Sequence, residues 1–412
     1  MNSMKIICAY PVNLDAVFNV GEELSNITRE SGAYLPEIFG SMDDLIAALV
    51  FCMQEGIGSE LLIDSPGLAG QIEAKFSWRH FLGGNAGIMA NVLAKMGAQV
   101  ILNAPALSHR MAGMIDPRVL LPVSGIPMPP LQAAGEREMV HFVFQFKAGD
   151  FIIARGMKIT APKDNRLIAT YDPVNTRLES GADFDEFCQN TISEFHGALL
   201  SGFHLAPSAN YREIFSQKIG QIKSWKEKNP DIFIHAEMGS FQKPEIMNYL
   251  LPRLPVDSLG MNEDELAATV GQLNGWRDCM QAARGLQARL GLPRVAIHTR
   301  DYILSVTKIG LIDPEDELRA LRRGADYAAA LAATGSAWGP PPAGVRPEGQ
   351  EAIDQFCQDS ATPFDRGAFK ESEGTVLSLM SSLQTEKPKF TVGLGDTATA
   401  AAFYEEISAI RH

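Results

Sequence analysis

The chain has 412 residues, enough for one large domain with a smaller one, and its 46% hydrophobic and 21% charged residues are the proportions of a globular protein with a substantial core. A net charge of −13 excludes a broad nucleic-acid-binding surface and favours a soluble protein. Five cysteines (Cys8, Cys52, Cys188, Cys279, Cys357), odd in number and without metal-type spacing, read as reduced thiols. The first apolar run is too short for a signal peptide and no window is long enough to cross a membrane, so a cytoplasmic protein with no membrane partner is expected. Composition leaves a monomer or a small homo-oligomer open.

In chain order, residues 5–10 form a compact apolar run that reads as a buried strand. It opens into Pro11-Val12-Asn13-Leu14-Asp15, which places two short polar side chains at a strand end. In open α/β sheets ligands sit at that end. Asn13 and Asp15 therefore suit either the hydroxyls of a ligand or an Asx turn. Residues 42–55 carry a helical period, and 59–63, beginning Ser59-Glu60, read as a strand. The glycine turn Gly83-Gly84-Asn85-Ala86-Gly87 leads into a helix over 88–96 and a strand over 97–103. It is not a Gly-x-Gly-x-x-Gly dinucleotide turn.

Between residues 117 and 175 proline and glycine are frequent, and 140–146 and 151–153 read as strands without long helices between them. This predicts an antiparallel sheet, part of a smaller lid domain. From residue 187 strands and helices alternate: strands over 197–203, 232–235, 256–260, 295–298 and 303–306, and helices over 211–228 and 314–333. Residues 340–347 read as a surface loop. Alternation over this length predicts a mostly parallel sheet covered on both faces.

The last informative stretch is Phe390-Thr391-Val392-Gly393-Leu394-Gly395-Asp396-Thr397, three residues of strand character running into an alanine-rich helix. Glycines before a helix allow close backbone approach, and the free amides of the first turn make an anion site. Asp396 at its lip suits either an N-cap or a base that deprotonates an attacking hydroxyl. Glu237, Asn262 and Glu265 also fall at strand ends. They are oxygen ligands of the kind that hold Mg²⁺ beside phosphates, or else solvated turn residues.

Four stretches carry a family resemblance: the glycine turn at 83–87, His235-Ala236-Glu237, Asn262-Glu263-Asp264-Glu265, and Gly393-Leu394-Gly395-Asp396. In this order and spacing the sequence resembles the ADP-dependent sugar kinases, the glucokinase and 6-phosphofructokinase family of the ribokinase-like superfamily. The resemblance implies an α/β fold: a three-layer α/β/α large domain with a mostly parallel sheet (residues 1–16, 79–107 and 176–412), plus a β-rich lid (17–78 and 108–175). It implies transfer of the β-phosphoryl of Mg·ADP to a sugar, with AMP released. Asp396 would be the base, and Gly393, Gly395 and the helix turn at Thr397 the anion hole. Glu237, Glu265 and Asp396 would lie around Mg²⁺. Asn13, Asp15, Glu60, Gly84 and Asn85 match sugar positions, and Asn262, His298 and Thr299 lie near the nucleotide. Arg166 matches an arginine near the phosphates, or is a lid-surface charge. His298 is equally compatible with a structural histidine.

The chain departs from the family at Ser201-Gly202-Phe203-His204, where Ser-Gly-x-Gln is usual, and it is somewhat short. Lys147, Lys163 and Arg166 supply lid cations for a sugar phosphate, which favours fructose 6-phosphate, while Glu60 favours glucose or a bifunctional enzyme. An ATP-dependent ribokinase-type enzyme and a catalytically silent binding protein are the competing classes.

Overall fold

The computed structural model describes residues 3–386, 388–390 and 392–410. Two sheets organise the chain. Their strands begin with β1 (Lys5–Ala9), β2 (Asn13–Asn19), β3 (Ser59–Leu62), β4 (Arg79–Gly83), β5 (Gln99–Leu102), β6 (Val140–Phe146) and β7 (Asn165–Tyr171). There follow β8 (Gly197–Leu200), β9 (Phe233–Glu237), β10 (Ser258–Asn262), β11 (Arg294–His298), β12 (Tyr302–Lys308), β13 (Thr362–Phe364), β14 (Gly367–Ser372) and β15 (Thr375–Ser381).

The larger sheet runs β13-β14-β15-β12-β11-β10-β9-β8-β1-β5. From β11 to β5 neighbouring strands are parallel, and β12 to β15 add antiparallel hairpins at one edge. The parallel strands are apolar on both faces because both are covered; β8 and β9 are buried at every residue. One face packs on helices α1 (Asn85–Met96) and α4 (Leu394–Ile410), through Met89, Leu93, Ala400 and Phe403. The other is closed by Phe215, Ile222 and Trp225 of the helix Tyr211–Lys228 and by Ala283 and Leu286 of Trp276–Leu290. The short helix α2 (Glu263–Val270) follows β10 directly. Helix α3 (Pro314–Thr334) lies against α4, where a Cβ on Gly324 would stand 2.6 Å from the Ala398 carbonyl.

The smaller sheet runs β3-β7-β6-β2-β4 around a core of Phe142, Phe144 and Phe146. It is mixed, not antiparallel as expected, because β2–β6 and β3–β7 pair in parallel. The expected boundary at residues 16–17 falls inside β2, and β4 belongs to this sheet, not to the large domain in which residues 79–83 are expected. Met111, Ala112, Ile115, Val119 and Leu121 sit in the large-domain core with Ile6 and Cys8, so residues 111–121 leave the expected lid. That stretch has no regular period, so only the packing reveals its side. The loop expected at 340–347 ends where Pro347 opens a helix, Pro347–Gln358. Of the strand expected over 390–392, Thr391 lies outside the described residues and neither Phe390 nor Val392 is in a strand.

Candidate active site

The C-terminal ends of the parallel strands, the start of β2 and the N-termini of α1 and α4 converge on one cleft of about 340 Å³. Among its walls are Asn13, Asp15, Glu60, Gly84, Asn85, Arg166, Glu237, Asn262, Glu265, His298, Gly393, Gly395 and Asp396.

Local sterics explain the glycines. Gly393 has φ +69°, the left-handed region, and a Cβ there would press on Ile88 at 2.9 Å. A Cβ on Gly395 would stand 2.8 Å from the His298 ring. Because α4 starts at Leu394, the amides of Leu394, Gly395 and Asp396 have no intrahelical acceptor and are free to meet an anion. Thr397 does not join them as expected: its amide donates to the Gly393 carbonyl at 3.0 Å and its side chain is buried. The first satisfied amide of a helix cannot also serve a ligand.

Asp396 Oδ1 accepts a hydrogen bond from Asn85 Nδ2 at 2.6 Å. Asn85 opens α1 behind Gly84, whose φ is +78° and whose Cβ would meet the Pro11 carbonyl at 2.4 Å. Burial, with Glu237 and Asp15 nearby, raises the Asp396 carboxyl to about 6, although Asn85 and His298 oppose the rise.

Glu237 ends β9 in a space that Gly260 leaves free, since a Cβ on Gly260 would stand 2.1 Å from Glu237 Oε2. His298 Nε2 lies 2.7 Å from Glu237 Oε1, and Oε2 meets His235 Nε2 at 3.1 Å and Thr399 Oγ1 at 3.0 Å. Burial alone would neutralise Glu237, but His298 and His235 hold it ionised at about 2. Burial likewise opposes the charge on His298, and Glu237 outweighs it, raising the imidazole to about 9. Glu237 thus favours the protonated form of the His298 ring. Behind it, His235 Nδ1 meets Ser258 Oγ at 2.8 Å, and Arg294 reaches Ser258 (3.1 Å), Glu317 (3.0 Å) and Glu406 (2.5 Å).

Glu265 and Asn262 form the capping box of α2: Asn262 Oδ1 accepts from the Glu265 amide at 2.9 Å and Glu265 Oε2 from the Asn262 amide at 3.0 Å. Burial first, then Glu237 and Asp396, lift Glu265 to about 7. Thr299 does not line the cleft. It closes the β11–β12 turn, its hydroxyl accepting from the Asp301 and Tyr302 amides.

On the lid side, Asn13 Nδ2 donates to Asp15 Oδ1 at 2.7 Å. Both residues lie on the first strand of the smaller sheet, not at the end of a large-sheet strand. Glu60 Oε1 accepts from Thr170 at 3.0 Å. His141, which the sequence reading missed, has Nε2 3.0 Å from Asp172 and Nδ1 3.7 Å from Glu60. Burial disfavours its charge, but Asp172 wins and raises it to about 9. The available signal was a histidine inside an apolar strand pattern. Arg166 lines the cleft and makes no ion pair among the described residues, whereas Lys147 and Lys163, offered as lid cations, lie outside it.

The donor set suits Mg²⁺ in one respect. Glu237, Glu265 and Asp396 line the same cleft, Glu237 and Asp396 both raise the Glu265 carboxyl, and Mg²⁺ takes one or two carboxylates with water and substrate phosphate. Among the described residues no group of three or more His, Cys, Asp or Glu side chains is placed to hold a metal by itself, so phosphate would have to complete the shell.

A helix start with free amides, a buried carboxylate beside it and a second sheet that brings Asn13 and Asp15 to the same cleft make up the arrangement of a small-molecule kinase. The sequence matches the model of the ADP-specific phosphofructokinase/glucokinase conserved region over residues 4–405, and the chain belongs to that family. It is 25% identical to an ADP-dependent glucose/glucosamine kinase of Pyrococcus abyssi, over 98% of this chain and 94% of that protein. It is 26% identical to an ADP-specific phosphofructokinase of Methanosarcina acetivorans, over 98% and 93%. Its fold resembles an ADP-dependent kinase solved with fructose-6-phosphate and ADPβS (TM-score 0.81, 23% identity, 99% and 94% covered). It also resembles a phosphofructokinase from Pyrococcus horikoshii solved with AMP (TM-score 0.79, 23% identity, 100% and 99% covered). Among the described residues no helix is long and apolar enough to cross a membrane.

Proposed function

We propose that this protein transfers the β-phosphoryl group of ADP to a sugar hydroxyl, with fructose 6-phosphate as the acceptor, and releases AMP. The observation that carries the reading is Asp396, ionisable near neutral pH and tied to Asn85, at the lip of three free helix amides. In the reaction Asp396 takes the proton of the attacking hydroxyl, and the amides of Leu394, Gly395 and Asp396 hold the oxygens of the transferring phosphoryl. Asn13, Asp15 and Asn85 orient the sugar. Glu237 and Glu265 would hold Mg²⁺, which neutralises phosphate charge. His298, in contact with Glu237, lines the same side of the cleft.

Arg166 and the protonated His141 support a phosphorylated acceptor, because two cations at the lid end suit a dianion. Glu60, held by Thr170 at the same end, favours glucose as a second acceptor. A coupled assay with ADP and ATP against fructose 6-phosphate and glucose tests this. Turnover of glucose alone would overturn the acceptor, and turnover with ATP but not ADP would overturn the donor.

A further inference from the structure

His204 departs from the family pattern, and its surroundings give it a definite task. It lines the cleft from the turn after β8, edge-on to Phe241 at 6.4 Å between ring centres. Its Nδ1 is buried without a hydrogen-bond partner. That nitrogen rests on Gly239, where a Cβ would stand 2.2 Å away, so the seat exists only because residue 239 has no side chain. Glu60 and His141 are close enough to act on its charge in opposite senses, and burial keeps the ring neutral.

A neutral imidazole has one N–H. A buried N–H without an acceptor is rarer and costlier than an unmatched lone pair. The environment therefore assigns the lone pair to Nδ1, against Gly239, and the proton to Nε2. From this geometry we infer that His204 is a specificity-determining residue, presenting a neutral Nε2–H donor beside the acceptor Glu60 so that the two grip a single hydroxyl of the sugar. A hydroxyl both donates and accepts, and this pair supplies one partner of each kind. The inference rests on the sugar-kinase reading above and adds to it which groups select the acceptor.

The test uses the full-length protein and three variants, H204Q, H204L and G239A, with the sugar found to be turned over in the assay above. H204L should raise the sugar KM about tenfold or more, the worth of one hydrogen bond to a binding site, with kcat and the ADP KM within about threefold of wild type. H204Q, which keeps an N–H donor, should recover most of that loss. G239A, which leaves the imidazole in the chain but fills its seat, should reproduce the H204L effect. Equal losses in kcat, ADP KM and sugar KM, or a lowered melting temperature in all three variants, would mean a structural role and overturn the inference. So would an unchanged sugar KM in H204L. If the wild type phosphorylates no sugar, the kinase reading fails separately. Calorimetric titration of wild type and H204L with fructose 6-phosphate and with glucose then decides the inference: weaker sugar binding in the variant supports it, and equal or absent binding overturns it.

Discussion

Asn85 Nδ2 stands 2.6 Å from Asp396 Oδ1, so the first residue of α1 and the third of α4 are tied together across two glycine turns. Each glycine turn alone would be a generic helix start. Joined, they place an amide donor and a carboxylate at the point where free backbone amides meet the lid strands. Replacing Asp396 with Asn removes the base and leaves the size and the anion turn intact. The expected outcome is a fall in kcat of roughly 10²–10⁴-fold with sugar affinity by calorimetry nearly unchanged. A variant that keeps near wild-type turnover would remove Asp396 from the mechanism.

Asn85 also bears on ionisation. Its hydrogen bond favours the charged form of Asp396 and opposes the burial that raises that carboxyl. Asn85→Ala should therefore move the acid limb of kcat/KM to higher pH, as well as lowering kcat. An acid limb at the wild-type position would show that Asp396 does not govern it.

Much of this site was legible because its carboxylates close apolar strand runs. Glu237 and the Asn262–Glu265 pair each follow such a run, and parallel strands bring those ends to one edge. The details that failed depend on geometry that a run of letters does not carry. Thr397 follows the motif immediately, but one residue separates a free amide from a bonded one. Asn13 and Asp15 look like the end of a large-sheet strand because nothing in residues 10–13 marks the passage of the chain into a second sheet. Lys147 and Lys163 have the right charge but do not line the cleft. His141 was passed over because its role comes from Asp172, thirty-one residues away. The buried cluster around Arg294 is of the same kind: its partners Glu317 and Glu406 lie on α3 and α4.

That cluster yields a stability prediction. Arg294, Glu317 and Glu406 are almost fully buried, and Arg294 also holds Ser258, the partner of His235. Arg294→Met leaves two buried carboxyl groups without a counter-charge and should lower unfolding free energy by roughly 3–5 kcal/mol. Exchanging all three for apolar residues (Arg294→Met, Glu317→Leu, Glu406→Leu) should restore much of it, since no buried charge then remains unpaired. Urea denaturation of the two variants checks this. A single Arg294→Met variant as stable as wild type would show that the cluster contributes little.

The final prediction concerns pH. His141 is buried, and Asp172 raises it to about 9, whereas an unfolded histidine titrates near 6.5. The folded state therefore binds a proton more tightly than the unfolded state. The resulting stabilisation is fully present below about pH 6.5, diminishes as pH rises, and is lost above about pH 9. A difference of that size corresponds to something on the order of 3 kcal/mol for a group this buried. Other groups also titrate in this window, so the test is a comparison. Unfolding free energies of wild type and His141→Gln are measured by denaturant titration at pH 6 and pH 9.5. The gap between the two proteins should be wide at pH 6 and mostly closed at pH 9.5. The sugar KM of the wild type should rise over the same interval, because the lid then has only Arg166 to meet a phosphate. A constant stability gap across both pH values would show that folding does not raise the His141 imidazole, and above neutral pH the cationic lid would then rest on Arg166 alone.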